Sequence, residues 1–239
     1  MDWGKTKSIL IITFLLLNAL LGYQLYLKYL ESDHVIWGKE STKEIQEILA
    51  EREIIINDEI SVDQPMMEFI RTKIQNYEGE LTYDSVKYAE LDEMALIEIL
   101  GSIIKNFNEY GYDEHESSAN NQHIFYQMKD SYPLYGGQLL VETIGRNQLH
   151  FEQAYFEIVG EGAKRKIISS ATALKSAIDL RLIPNNSEID TLTLGYYGEG
   201  VQSILQEIPP VWRVVYKYDD IINVLHINAF TGENMLKLG

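Results

Sequence analysis

The sequence predicts an α+β fold: one long apolar helix at the N-terminus, then repeated units in which a helix packs on an antiparallel sheet. Three observations predict it. Residues Ser8 to Leu27 carry no charged side chain; Leu91–Phe107 and Ser169–Leu182 repeat apolar residues at helical spacing; the intervening stretches are β-branched and aromatic runs punctuated by Gly, Asn and Asp. With 239 residues, 46% of them hydrophobic, the part beyond the first helix is long enough for one large or two small cores.

The apolar run Ser8–Leu27, at about 1.5 Å per residue, matches the roughly 30 Å hydrocarbon core of a bilayer. Lys5 and Lys7 precede it with Asp2 opposing, which places a cytoplasmic leader at residues 1–7, a transmembrane helix at 8–28 and the remainder outside the cell membrane; Lys28 weakens that bias. A cleaved signal peptide shares the basic start, but this run is longer than a usual signal core, and the bulky Tyr23, Gln24, Leu25 and Tyr26 supply no small-residue cleavage site. Asn18 shares a helical face with Ile11, Leu15, Gly22 and Tyr26. That stripe is either a site of close helix contact, with Leu15, Asn18, Gly22 and Tyr26 facing a partner, or a place where an off-centre Asn18 is tolerated.

Composition excludes several functions. There is no cysteine, hence no disulfide, thiolate nucleophile or cysteine-bound zinc. Thirty-six acidic against 20 basic residues give a net charge of −16, which argues against nucleic acid as a partner. The charge reads as a solvated surface; binding of a cation is the lesser reading, since no calcium-loop spacing occurs.

Residues 29–40 read as a juxtamembrane connector, with Trp37 suited to the headgroup region. Residues 41–160 then form a first α+β lobe and 161–239 a second. In the first, Ser41-Thr42-Lys43-Glu44 resembles a capping box and predicts a helix over 42–52. A strand follows in REIIINDEISVD, then strands at Phe69–Tyr77 and Leu81–Tyr88 joined by a turn at Glu78-Gly79-Glu80. Leu91–Phe107 presents Leu96, Ile99, Leu100, Ile103 and Phe107 on one helical stripe. Strands at His123–Met128, Gln138–Ile144 and Leu149–Ile158 follow, with Gly136-Gly137 and Gly145-Arg146-Asn147 as turns. In the second lobe Ser169 and Ser170 cap a helix that Pro184 ends, and strands at Ile189–Tyr197, Pro210–Tyr218 and Ile222–Phe230 complete the unit, the last two joined at Asp219-Asp220. Helix then three strands occurs three times, starting near residues 42, 91 and 169.

No catalytic constellation emerges. His34, His115, His123, His150 and His226 are dispersed, without metal-ligand spacing. Ser203 lacks the flanking glycines of a nucleophile elbow, and Gly195, Gly198 and Gly200 lack dinucleotide-loop spacing. Glu114 and Glu116 read as surface carboxylates. Tyr196, Tyr197 and Trp212 form a possible interaction surface, although period-two alternation of the last strands favours a place in the core. No cofactor or metal follows from these residues.

Two stretches carry a family resemblance. The opening, with Asp2-Trp3, Lys5-Thr6-Lys7, Asn18 and Gly22-Tyr23-Gln24-Leu25, resembles the YycI (WalI) family. So does the C-terminal part, in Leu194-Gly195-Tyr196-Tyr197, Trp212-Arg213-Val214-Val215 and Asn228-Ala229-Phe230-Thr231-Gly232-Glu233. The last run is also similar to the terminal hairpin of PepSY-type domains. The YycI resemblance implies a single-span protein of Gram-positive bacteria, without enzymatic activity. It implies action with a YycH-like anchored partner on the WalK (YycG) sensor histidine kinase, through transmembrane-helix contacts, and so on cell-wall metabolism. The PepSY likeness implies an alternative, an anchored inhibitor or binding module for a secreted peptidase.

Overall fold

A computed structural model describes residues 3–33, 42–84, 87, 91–114, 116–117, 122–199 and 205–235. The chain divides into two compact units, Met1–Lys39 and Glu40–Gly239. The connector with Trp37, and also His34, His115, Gly200 and Ser203, lie outside the described residues.

The first unit is helix α1, Trp3–Asp33, longer than the 8–28 expected. Every described side chain on it is exposed. Those side chains run unbroken from Leu10 to Gln24, about 22 Å of helix against a hydrocarbon core of roughly 30 Å. Among the described residues no helix is long and apolar enough to cross a membrane.

The second unit is α+β. Its helices are α2 (Thr42–Glu51), α3 (Glu93–Gly101) and α4 (Ser170–Asp179). Its strands are β1 (Ile55–Ile56), β2 (Met66–Met67), β3 (Ile70–Thr82), β4 (Tyr110–Tyr112), β5 (His123–Lys129), β6 (Tyr132–Gly145), β7 (Gln148–Glu161), β8 (Arg165–Lys166), β9 (Glu188–Tyr197), β10 (Gln206–Ile208), β11 (Pro210–Tyr218) and β12 (Ile221–Asn228). Ten of these join one sheet, with the order β10-β3-β7-β6-β9-β11-β12, β5 on β6, β4 on β5 and β1 on β9. Strands from both expected lobes are thus hydrogen-bonded into this sheet, β2 and β8 pair as a separate two-stranded ladder, and among the described residues the expected repeat of helix-plus-sheet units is not seen.

Local chemistry explains where the elements fall. Asp92 caps α3 by accepting from the Ala95 N–H at 2.8 Å, and Ser169 caps α4 by accepting from Thr172 at 3.2 Å. The expected helix Leu91–Phe107 stops at Gly101; Asn106 turns left-handed at φ 58°, and Phe107 starts a 3₁₀ turn and packs on Phe125 at 5.5 Å. The strand expected after α2 shrinks to Ile55–Ile56, because the Asp58 carboxylate, not a backbone carbonyl, accepts the Leu192 N–H at 2.7 Å. Glu78-Gly79-Glu80 is not a turn. β3 runs straight through it, since Gly79 faces the Phe151 ring across the ladder, where a Cβ would stand 3.0 Å from the ring.

Gly136-Gly137 is likewise no turn but a bend inside β6. Before it, Leu134 and Tyr135 pair parallel with Tyr196 and Tyr197 of β9; after it, Leu139–Gly145 pair antiparallel with β7. Gly136 sits at φ 95°, and a Cβ there would collide with the Gly198 carbonyl oxygen. The bend leaves Phe156 of β7, paired with Ile74 of β3 on one side, without a strand neighbour on its β6 side, and Gln127 takes that place: its carboxamide accepts from the Phe156 N–H at 2.8 Å and donates to the Phe156 carbonyl at 2.9 Å. One side chain thereby stands in for a residue of backbone.

Two apolar clusters flank this junction. Leu96, Leu100 and Phe107 pack with Phe125, Leu139, Val141 and Leu149, and on the other sheet face Ile124, Tyr126, Tyr135 and Val211 meet Leu140, Tyr197 and Met235.

Candidate functional site

The residues that the sequence offers as contacts lie along α1. Leu15 is 62% exposed, Asn18 and Gly22 are exposed, and a Cβ at Gly22 would meet nothing within 4 Å. The Tyr26 side chain lies outside the described residues. Leu10, Ile12, Leu16 and Leu20 are exposed on the other sides of the same helix, so apolar side chains surround it. A helix apolar all round has no polar face to give to water.

The aromatic residues are placed differently. Trp212 is 8% exposed and donates its indole N–H to the Ile168 carbonyl at 2.9 Å, and Tyr196 is 2% exposed. Both lie in the core, since β11 is covered on both faces, and they offer no accessible surface. Tyr197 is half-buried and stacks on His226, with ring centroids 4.5 Å apart.

That stack borders a buried ionic cluster. Arg213 is 4% exposed in the middle of β11. Its guanidinium meets Asp113 at 3.5 Å and Glu116, both on the segment after β4. It also lies over the rings of Tyr135 at 5.1 Å and Tyr126 at 5.9 Å. Burial works against the arginine charge, but Glu116, the two tyrosines and Asp113 outweigh it and raise the pKa. Tyr126 donates to Glu116 at 2.5 Å, and burial together with that carboxylate pushes its hydroxyl pKa far up. Register brings His226 of β12 directly opposite Arg213. His226 is 8% exposed, and neither ring nitrogen has a hydrogen-bond partner among the described residues. Burial, with the Arg213 charge second, lowers its pKa to about 3.

A second ionic cluster centres on Lys129, 9% exposed, which meets Glu68 at 3.1 Å, Asp130 at 2.6 Å and Glu161 at 3.2 Å. Desolvation opposes the lysine charge, and the three carboxylates reverse that and raise its pKa. Arg213 and Lys129 thus face carboxylates already in place. Among the described residues no group of three His, Cys, Asp or Glu is arranged to hold a metal ion.

The run Asn228–Glu233 forms a compact turn. Asn228 Oδ1 accepts from the Phe230 and Thr231 N–H groups, Gly232 takes φ 74°, and the Ser176 hydroxyl of α4 donates to the Gly232 carbonyl at 2.7 Å. Beside it Arg165 lies over the rings of Phe69 and Phe230, at 5.0 and 4.2 Å. This turn locks the end of the sheet to a helix.

The Arg213 cluster escapes sequence reading because its members come from residues 113, 116, 213 and 226, which only the fold brings together. The available signal was a charge inside Pro210–Tyr218, a strand otherwise fit for burial on both faces.

Fold and site together define a chain with a helix apolar on all sides along its middle and an α+β sheet unit whose buried Arg213 and Lys129 are paired internally. Residues 81–230, more than half of the chain, match the family described as YycI protein, and the chain belongs to that family, one of two-component regulatory proteins. No curated protein matches it. It is similar to the crystal structure of an uncharacterized protein from Eubacterium rectale, at 15% identity and a TM-score of 0.37, over 48% of this chain and 42% of that one. The likeness to PepSY-type domains rests on the sequence alone.

Proposed function

We propose that the chain is an accessory regulator, anchored by α1 in the cell membrane with its sheet unit outside, that acts with a YycH-like anchored partner on the WalK (YycG) sensor histidine kinase and so on cell-wall metabolism. Membership of the YycI family supports the regulatory system. The observation that carries the role of α1 is its surface: apolar side chains on all described sides, with Asn18 and the bare Gly22 on one stripe. In hydrocarbon, apolar surface does not drive helices together; close backbone approach at small residues and a buried carboxamide do. A helix packed in this way biases the kinase toward one of two helix arrangements only if it contacts them unequally.

The test is Gly22→Leu in membranes holding kinase, partner and this chain. Kinase autophosphorylation should shift at unchanged protein level, while thermal unfolding of the sheet unit stays the same. Unaltered output at normal abundance would remove α1 packing as the mechanism.

A further inference from the structure

Among the described residues the outer edge of β3 is open beyond Thr72. β3 extends over Ile70–Thr82, yet β10 covers only Ile70, Thr72 and the Arg71 between them. Among the described residues no strand pairs with the outer side of Lys73–Thr82. Its ten residues measure about 33 Å and contain no proline. Such an edge is a template for another strand.

The direction of its free groups follows from Gln127. The Phe156 N–H and C=O are both bonded to that carboxamide, hence point away from β3. Phe156 lies opposite Ile74, so this is a non-hydrogen-bonded pair, and Ile74 must aim its own N–H and C=O outward. The ladder is regular from Thr72 to Thr82, so Asn76, Glu78 and Glu80 do the same.

The side chains of these residues share one sheet face, and that face is acidic. Glu78 lies directly opposite Glu152 on β7; Glu80 lies opposite His150, which lies opposite Glu142 of β6. Like charges placed directly opposite destabilise a sheet. Alongside runs an open groove of about 610 Å³, lined by Asn76, Glu78, Gln138, Leu140, Glu152 and Ala154 among others, with no basic residue in the lining.

The geometry points to β3 as the docking edge for an extended segment of another protein that carries Lys or Arg at alternate positions. A strand added here bonds to Ile74, Asn76, Glu78 and Glu80, and its directly opposed residues fall on the carboxylate face. Basic side chains there relieve the Glu78–Glu152 opposition. A second copy of this chain does not fit. Two-fold antiparallel pairing of two β3 edges sets even-numbered residues against even-numbered ones, so Lys73 never meets Glu78 or Glu80 in any register. This surface belongs to the Glu40–Gly239 unit, and its test is independent of α1 and of any kinase.

The experiment uses the full chain in detergent micelles and a labelled peptide alternating lysine and valine, read by fluorescence anisotropy and by amide hydrogen exchange. Binding should slow exchange at Ile74, Asn76, Glu78 and Glu80, and a glutamate–valine peptide should not bind. Glu78→Lys should weaken the lysine peptide about tenfold or more. Asn76→Pro should weaken it comparably, because it deletes an outward N–H that the β3–β7 ladder does not use. Exchange unchanged at these four amides would overturn the proposal. So would equal binding by a folded Asn76→Pro, which would mean charge attraction without strand pairing. If Asn76→Pro does not fold, the exchange pattern of the unaltered chain decides.

Discussion

Gln127 replaces one residue of strand with one side chain, and its loss is specific. Gln127→Leu keeps the volume but leaves the Phe156 N–H and C=O buried without partners, which costs about 1–3 kcal/mol for each group. Urea unfolding should show that loss; a change under about 0.5 kcal/mol would mean that β7 finds another partner there. Sequence could not reveal this role, since Gln127 is one polar residue in a strand buried continuously from Ile124 to Gln127, and Phe156 lies 29 positions away. His226 carries a second residue-scale prediction. Its folded pKa near 3 lies below the unfolded 6.5, so the unfolded chain takes up the proton first as pH falls. Stability is therefore lost as pH drops from 6.5 toward 3. His226→Phe should lose less thermal stability than the parent between about pH 7 and pH 5, with no hydrogen bond sacrificed. Identical pH slopes in the two proteins would exclude His226 as a source of acid sensitivity.

At the scale of elements, period and punctuation were informative where one face decides, and misleading where backbone approach decides. Leu149–Ile158, the Ser169 cap and the Asp219-Asp220 turn are legible because alternation, capping oxygen and left-handed Asp each have a local cause. Gly79 and Gly136-Gly137 looked like turns because glycine breaks strands, but here it admits the Phe151 ring and the Gly198 carbonyl. That reason is spatial and leaves no mark in sequence. Buried charge is equally illegible: Lys129 joins β5 to Glu161 of β7 and to Glu68, which lies 61 positions away in sequence. Lys129→Met should destabilise by about 3–5 kcal/mol, because it strands Glu68 at 4% exposure. Adding Glu68→Leu should recover much of that loss, and failure of the double variant to recover would place the cost in packing instead of charge.

For the whole molecule, the family match covers β4 to β12 and the Arg213 cluster, while α1, α2, β1, β2, nearly all of β3 and Glu68 lie outside it. The α+β class and the existence of α1 were legible from hydropathy, but the single ten-stranded sheet was not, because β6 reaches β9 only by bending at two glycines. Tyr196 and Trp212, readable as a surface, belong to the core of that sheet. The paired interior of the sheet unit leaves recognition to surfaces, which puts the α1 stripe at the centre of the proposed function. The most direct measurement is photo-crosslinking in intact membranes from Asn18 and Gly22, with Leu16 and Leu20 on the opposite helical face as controls, followed by mass spectrometry. Capture of a sensor histidine kinase or a second anchored protein from Asn18 and Gly22, and not from the controls, is the expected result. Equal capture from both faces, or none above background, would contradict a contact made through this stripe.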